Sequence, residues 1–258
     1  MSNTLQNLGH HVEKYQQHEL PLMDSLCDAF TDSALSVAQR LQTFPRHVRR
    51  QDIARFLAKH ELFRRALPVN GSIVECGVFA GGGLFGWHHF SAIYEPYNHT
   101  RRIIGFDTFD GFPAVDSKDL SEGGSQHSHL GAFRTSRSIQ EELGNLAAIH
   151  DSNRPLGHIS KIELVQGDAC ETIPRYVAEH PSLLVSLLYI DFDLYAPTKA
   201  ALSALLPRVP RGGVVAFDEL NCPEFAGETT ALLESLDIRQ LDLRRLPIDP
   251  YISWFIRA

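Results

Sequence analysis

LLYIDFDLYAPTKAALSALLPRVPRGGVVAFDEL, residues 187–220, is the stretch on which the fold turns. It reads as a buried strand ending in Asp191 and Asp193, a helix, and a second buried strand ending in Asp218 and Glu219. In an open parallel sheet the carboxyl ends of neighbouring strands face one crevice, where ligands bind. Four carboxylates then converge on a small volume. Ionised carboxylates repel at close range, so such a group shares a proton, a cation or a ligand. A bound divalent cation is the working hypothesis.

Upstream, SIVECGV (72–78) is a short apolar run of the kind that forms a buried strand. It passes through Glu75, Gly77, Val78, Phe79 and Gly81 into the helical pattern LFGWHHFSAIY. A strand, a glycine turn and a helix open a doubly wound nucleotide-binding fold. The glycines allow turn conformations that other residues resist and let the backbone pass close to a ligand. The pattern is E-x-G-x-x-x-G, not the G-x-G-x-x-G of a dinucleotide site. The next strand, RRIIGFDTF, ends in Asp107 with Thr108 beside it and the turn DGFP after it. A carboxylate there is placed to accept both ribose hydroxyls of a nucleoside, or to cap a turn. KIELVQGDACETIP supplies a third strand, with Asp168 just past its end. Asp168 either accepts from an adenine amine or caps the helix that follows.

Residues 1–66 read as a helical extension, polar at first and then amphipathic, with Thr31 or Asp32 as a cap and a helix ending before Pro45. Such a region covers a sheet or a second subunit, which makes a homodimer or higher homo-oligomer the expected state. It could also form part of a lid, with Arg49 or Arg50 on an anionic group. Residues 67–258 form the main domain, with a polar insertion at about 114–160 of lid-like character. Within it Gly123–Gly124 is a hinge candidate, and His127, His129 and Arg134 are either substrate contacts or simply exposed. Past the second acidic pair stand Asn221, a candidate oxygen donor, and Glu228, a further carboxylate or a dipole-matching first-turn residue. The helix there is expected to start around Thr229. The last segment reads as two strands.

Composition bounds the function. The chain has 258 residues, with 43% hydrophobic and 21% charged, enough for a full core. The 24 basic and 31 acidic residues leave a net charge of -7, which disfavours nucleic-acid and anionic-membrane partners. Cys27, Cys76, Cys170 and Cys222 lack C-x-x-C spacing, so neither a disulfide framework nor structural zinc is expected. The beginning MSNTLQNLGHHVEKYQQ carries no apolar leader, and a cytoplasmic location is expected.

GSIVECGVFAGGG, IIGFDTFDGFP, LLYIDFDLYAPTKAAL and GGVVAFDEL together resemble the macrocin/mycinamicin/novobiocin-type sugar O-methyltransferases. The resemblance runs from about Gly71 to Asn221. It implies an α/β class I methyltransferase fold, a Rossmann-like doubly wound sheet of about seven strands, the last antiparallel. It also implies S-adenosylmethionine and Mg²⁺ (or another divalent cation) as cofactors, and a hydroxyl of a sugar or sugar-bearing natural product as acceptor. On that pattern Glu75, Gly77, Val78, Phe79 and Gly81 hold the methionine part of the cofactor, Asp107 and Thr108 the ribose, with Asp168 and Asp191 further contacts. Asp191 and Asp218 are the metal ligands, joined by Glu219 or Asn221, and Asp193 is the general base. The family pattern has Asp-Asp where this chain has Asp218-Glu219. Catechol-type enzymes, the alternative, carry a Lys a few residues after the first Asp; here Phe192, Asp193, Leu194 and Tyr195 follow Asp191. A non-catalytic nucleoside-binding protein of the same fold is the third reading, and the crowding of Asp191, Asp193 and Asp218 argues against it.

Overall fold

The computed structural model describes residue 16 and residues 19–120, 129–136 and 138–258. The chain divides into two units, residues 1–57 and 58–258.

In the first unit, helix α1 spans Leu22–Thr31 and α2 spans Val37–Gln42. The cap of α2 is Ser36, whose side chain accepts from Gln39 N–H while the Gln39 side chain accepts from Ser36 N–H. This reciprocal box replaces the Thr31 or Asp32 cap expected from sequence, because Ser36 has Gln three residues on. Helix α3, Arg50–Ala66, begins in this unit and ends in the second. Asp52 accepts from both the backbone N–H and the guanidinium of Arg49, so Arg49 serves the start of α3.

The second unit is built on a seven-stranded sheet of order β3-β2-β1-β4-β5-β7-β6. Its strands are β1 (Ser72–Cys76), β2 (Ile103–Asp107), β3 (Ile162–Gln166), β4 (Val185–Ile190), β5 (Val214–Phe217), β6 (Arg244–Leu246) and β7 (Asp249–Ile256). Strands β1 to β5 pair in parallel, and β7 runs antiparallel to β5. The order reverses between β1 and β4, the switch point at which the crevice of a doubly wound sheet opens. Every residue of β1, β4 and β5 is buried, as their apolar runs require of strands covered on both faces.

The helices are α4 (Gly82–Tyr94), α5 (Ile139–Asp151), α6 (Ala169–Glu179), α7 (Tyr195–Leu205) and α8 (Ala226–Ser235). Strand side chains alternate between two cores. Ile73, Leu187, Tyr189 and Ala216 pack with Trp87 and Leu62 on one face. Val74, Ile104, Leu188 and Phe217 pack with Ile173 and Leu202 on the other. Helix α8 begins at Ala226, before the Thr229 cap expected from sequence, since the turn Pro223–Phe225 already leads the chain into it. Among the described residues no helix is long and apolar enough to cross a membrane. All four cysteines are free thiols.

Candidate active site

Two turns meet at the switch point. Cys76 O accepts from Asp191 N–H at 2.8 Å, so the ends of β1 and β4 are tied together. Gly77 has φ +92°, and a Cβ there would lie 1.9 Å from Asp191 O. Only glycine fits, by conformation and by space. The chain then passes through Phe79 (φ 50°) and Gly81 (φ +84°) into the first turn of α4. Beside Gly82, the first residue of α4, a Cβ would meet nothing within 4 Å.

Asp107 organises this turn. Its Oδ2 accepts from Val78 N–H and Phe79 N–H, each at 2.8 Å, and its Oδ1 accepts from Phe109 N–H at 2.7 Å. Thr108 closes its own turn by donating to Gly111 O at 2.7 Å. Asp168 caps α6, accepting from Cys170 N–H at 2.8 Å. Glu75 lies beneath the turn, 1% exposed, with Oε1 2.9 Å from Lys59 Nζ. Burial pushes its carboxyl above the ordinary range, and Lys59 opposes that rise. Gly83 leaves the room for this pair: a Cβ there would stand 1.8 Å from Glu75 Oε1. The Lys59 ammonium also lies 4.1 Å from the centre of the Tyr189 ring.

Of the strand-end carboxylates, Asp191, Asp193 and Glu219 bring one oxygen each within 4.8 Å of one another. Asp193 has φ 62°, a left-handed conformation that Asp tolerates better than most residues. Asp218 is 3% exposed, and its Oδ1 accepts from the Tyr189 hydroxyl. Glu219 has a buried Oε2 with no hydrogen-bond partner. Burial, then the charges of Asp218, Asp193 and Asp191, hold its carboxyl well above the ordinary range. Glu228 accepts from Glu219 N–H at 2.9 Å. Burial first, then Asp193, Asp191 and Asp218, raises its carboxyl too, against the opposing Glu219 amide. A set of carboxylate oxygens with no nitrogen or sulfur suits a hard cation such as Mg²⁺. The buried oxygen on Glu219 and the mutual repulsion fit that group.

Four further features complete the site. Asp119, in a turn after β2, is buried and accepts from Tyr195 N–H at 2.6 Å, so it caps α7 beside the acidic cluster. Phe133 lies 6.4 Å from Phe79, 5.4 Å from Phe112 and 6.3 Å from Phe225, ring centre to ring centre. This aromatic seam joins the glycine turn, the DGFP turn and the approach to α8 through residues 129–136. Arg134 pairs with Asp110, at 2.9 Å. Lys199, half-buried, lies 3.5 Å from the exposed Glu234.

His129 is exposed, 3.0 Å from the carbonyl of its neighbour Leu130, and Asn221 is an exposed residue whose N–H donates to Thr229 Oγ1. His127 and the Gly123–Gly124 hinge lie outside the described residues. Sequence reasoning missed Lys59, Asp119 and Tyr189. Lys59 follows the apolar face of α3 and Tyr189 sits within a buried strand, so each carries a polar group at a core position. That was the available signal.

The family model described as Macrocin-O-methyltransferase (TylF) matches residues 60–231. CalS11, described as a calicheamicin methyltransferase, is similar over 94% of this chain and 93% of its own, with a TM-score of 0.90 and 35% identity. An apo structure of CalS11, described as a TDP-rhamnose 3'-O-methyltransferase of calicheamicin biosynthesis, gives a TM-score of 0.82 at 32% identity, covering 94% and 95%. The O-methyltransferase NovP shares the fold, with a TM-score of 0.57 at 21% identity over 80% of each chain. An 8-demethyl-8-(2,3-dimethoxy-α-L-rhamnosyl)-tetracenomycin-C 4'-O-methyltransferase of Streptomyces olivaceus is 26% identical over 155 residues, 58% of this chain. The match spans about half, 53%, of that relative's length.

Proposed function

This chain belongs to the macrocin-O-methyltransferase (TylF) family, and from that premise we propose that it methylates a hydroxyl of a rhamnose-type sugar. The proposed methyl donor is S-adenosylmethionine, with a divalent cation at the strand-end carboxylates. The observation that carries this reading is the contact of the two turns. Gly77 touches the backbone of Asp191, so a cofactor on the glycine turn and a cation on the acidic cluster would be neighbours. The sugar enters the proposal from two similar proteins, whose descriptions name TDP-rhamnose and a rhamnosyl group.

The residues divide the work. Gly77, Val78, Phe79 and Gly81 form the cradle for the methionine part, shaped by Asp107 and supported from below by Glu75 and Lys59. Asp107 and Thr108 are proposed to face the ribose and Asp168 the adenine. Asp107 Oδ2 is taken up by two backbone N–H groups, whereas Oδ1 holds one and keeps a further lone pair for a hydroxyl. Asp191, Asp218 and Glu219 would hold the cation. When bound, the sulfonium supplies the electrophilic methyl, and the cation supplies Lewis acidity that lowers the pKa of the acceptor hydroxyl. Asp193 accepts the proton from that hydroxyl. An ordinary carboxylate, near pKa 4, is a poor base for an alkyl hydroxyl, so Asp193 depends on the electrostatics of the cluster it shares. Lys199 lies on α7, 3.5 Å from Glu234, which supports a sugar over a catechol acceptor.

The test is an assay of purified protein with S-adenosylmethionine, Mg²⁺ and either TDP-rhamnose or a rhamnoside, reading methylated sugar by mass spectrometry. Transfer that stops in EDTA and resumes with Mg²⁺ is expected. Methylation undiminished in chelator would remove the cation. No transfer to either sugar, with cofactor binding intact, would remove the acceptor class.

A further inference from the structure

Glu228 lies in the first turn of α8 and is 0% exposed. A first-turn acid meets the helix dipole well enough from the surface, so burial is not needed for that purpose. Here the side chain is turned inward, where the charges of Asp191, Asp193 and Asp218 act on it. Its Oε2 accepts from Glu219 N–H at 2.9 Å, and its Oε1 is buried with no hydrogen-bond partner. Glu219, tied to it by that bond, carries a second buried oxygen in the same condition. Two adjoining carboxylates thus each present an unanswered oxygen beside the Asp191–Asp193–Glu219 group. An uncompensated buried charge costs several kcal/mol, and one cation would answer both.

The approach of α8 to this place is built into the chain. A Cβ at Gly227 would lie 2.0 Å from Asp119 Oδ1 and 2.5 Å from Tyr195 N. Glycine therefore lets the first turn of α8 press against the capped start of α7. That contact carries Glu228 to the cluster.

We propose that Glu228 is part of the cation site: Oε2 anchors the Glu219 backbone, and Oε1 contributes negative charge to the bound ion. This rests on the cation reading above and adds to it a residue from outside the strand ends. The experiment is Mn²⁺ binding to the full chain, followed by electron paramagnetic resonance, in wild type and in Glu228→Gln. Glutamine keeps the shape and can still accept from Glu219 N–H, so the fold has no reason to change. The expected result is a Kd raised at least about tenfold, with a melting temperature of the cation-free protein that is unchanged or higher. A charge has left a crowded cluster, whereas a purely structural acid would lower the melting temperature when replaced. Wild-type affinity, or a cation-free melting temperature below that of wild type, overturns the proposal. Should the Gln variant fail to fold, Glu228→Asp draws the charge back by one methylene and must also weaken Mn²⁺; wild-type affinity there overturns the proposal equally. Failure of the wild type itself to bind Mn²⁺ would remove the cation reading as a whole, and so is distinguishable.

Discussion

The hydroxyl of Tyr189, next to the last residue of β4, donates to Oδ1 of Asp218 just beyond β5. The ring of the same tyrosine lies under the Lys59 ammonium. Tyr189 therefore links the support beneath the glycine turn to the acidic cluster. Tyr189→Phe keeps the ring and removes the donor, leaving Asp218 without one of its hydrogen bonds in a buried place. A loss of ~1–3 kcal/mol in stability is expected by urea denaturation. The same variant should need more Mg²⁺ for half-maximal turnover. An unchanged Mg²⁺ requirement would separate Tyr189 from the site.

Asp193→Asn removes the proposed proton acceptor without changing side-chain shape. Turnover is expected to fall by ~10²–10⁴-fold, the range for general-base help. Affinity for S-adenosylhomocysteine, measured by calorimetry, should stay near wild type, because the glycine turn and Asp107 are untouched. Undiminished turnover would end the base assignment.

Lys59 and Glu75 form a buried pair, so the two must be judged together. Lys59→Met strands a carboxylate that is 1% exposed, and should cost ~3–5 kcal/mol. Adding Glu75→Gln should restore much of that loss. Simple additivity of the two substitutions in urea melts would contradict the coupling.

His88, on α4, is buried 3.3 Å from Asp151, and burial lowers its pKa to about 4. Asp151 opposes that shift without reversing it. The folded value lies below the ordinary 6.5, so the unfolded chain takes up the proton first. Stability from the neutral imidazole is complete above pH 6.5 and drains away as pH falls towards about 4. Comparing denaturation at pH 7 and pH 5, wild type should lose ~1–2 kcal/mol more than His88→Gln, which has no proton to gain. Equal losses would place the acid sensitivity elsewhere.

How much of this was legible beforehand follows from how local each signal is. Two-sided apolar runs announced β1, β4 and β5, because a strand buried on both faces has no polar alternation to show. The acids at their ends announced the cluster, since parallel neighbours deliver their carboxyl ends to one edge. Gly77 announced a tight turn. These are properties of short windows, and the chain by itself determined them, together with the family its ordered motifs resemble.

The tertiary structure alone decided which partners those residues keep. Asp107 reaches back to Val78 and Phe79, Glu75 to Lys59, and Asp119 forward to Tyr195. The sheet order puts β1 beside β4 and Tyr189 beside the strand that leads into Asp218, so Glu219 and Asp193 join Asp191 in one group while Asp218 accepts from a hydroxyl. Such pairings depend on the side-chain directions that packing enforces across distant segments, and periodicity along the chain carries no record of them. Packing likewise turned Glu228 from an ordinary first-turn acid into a buried one facing the cluster.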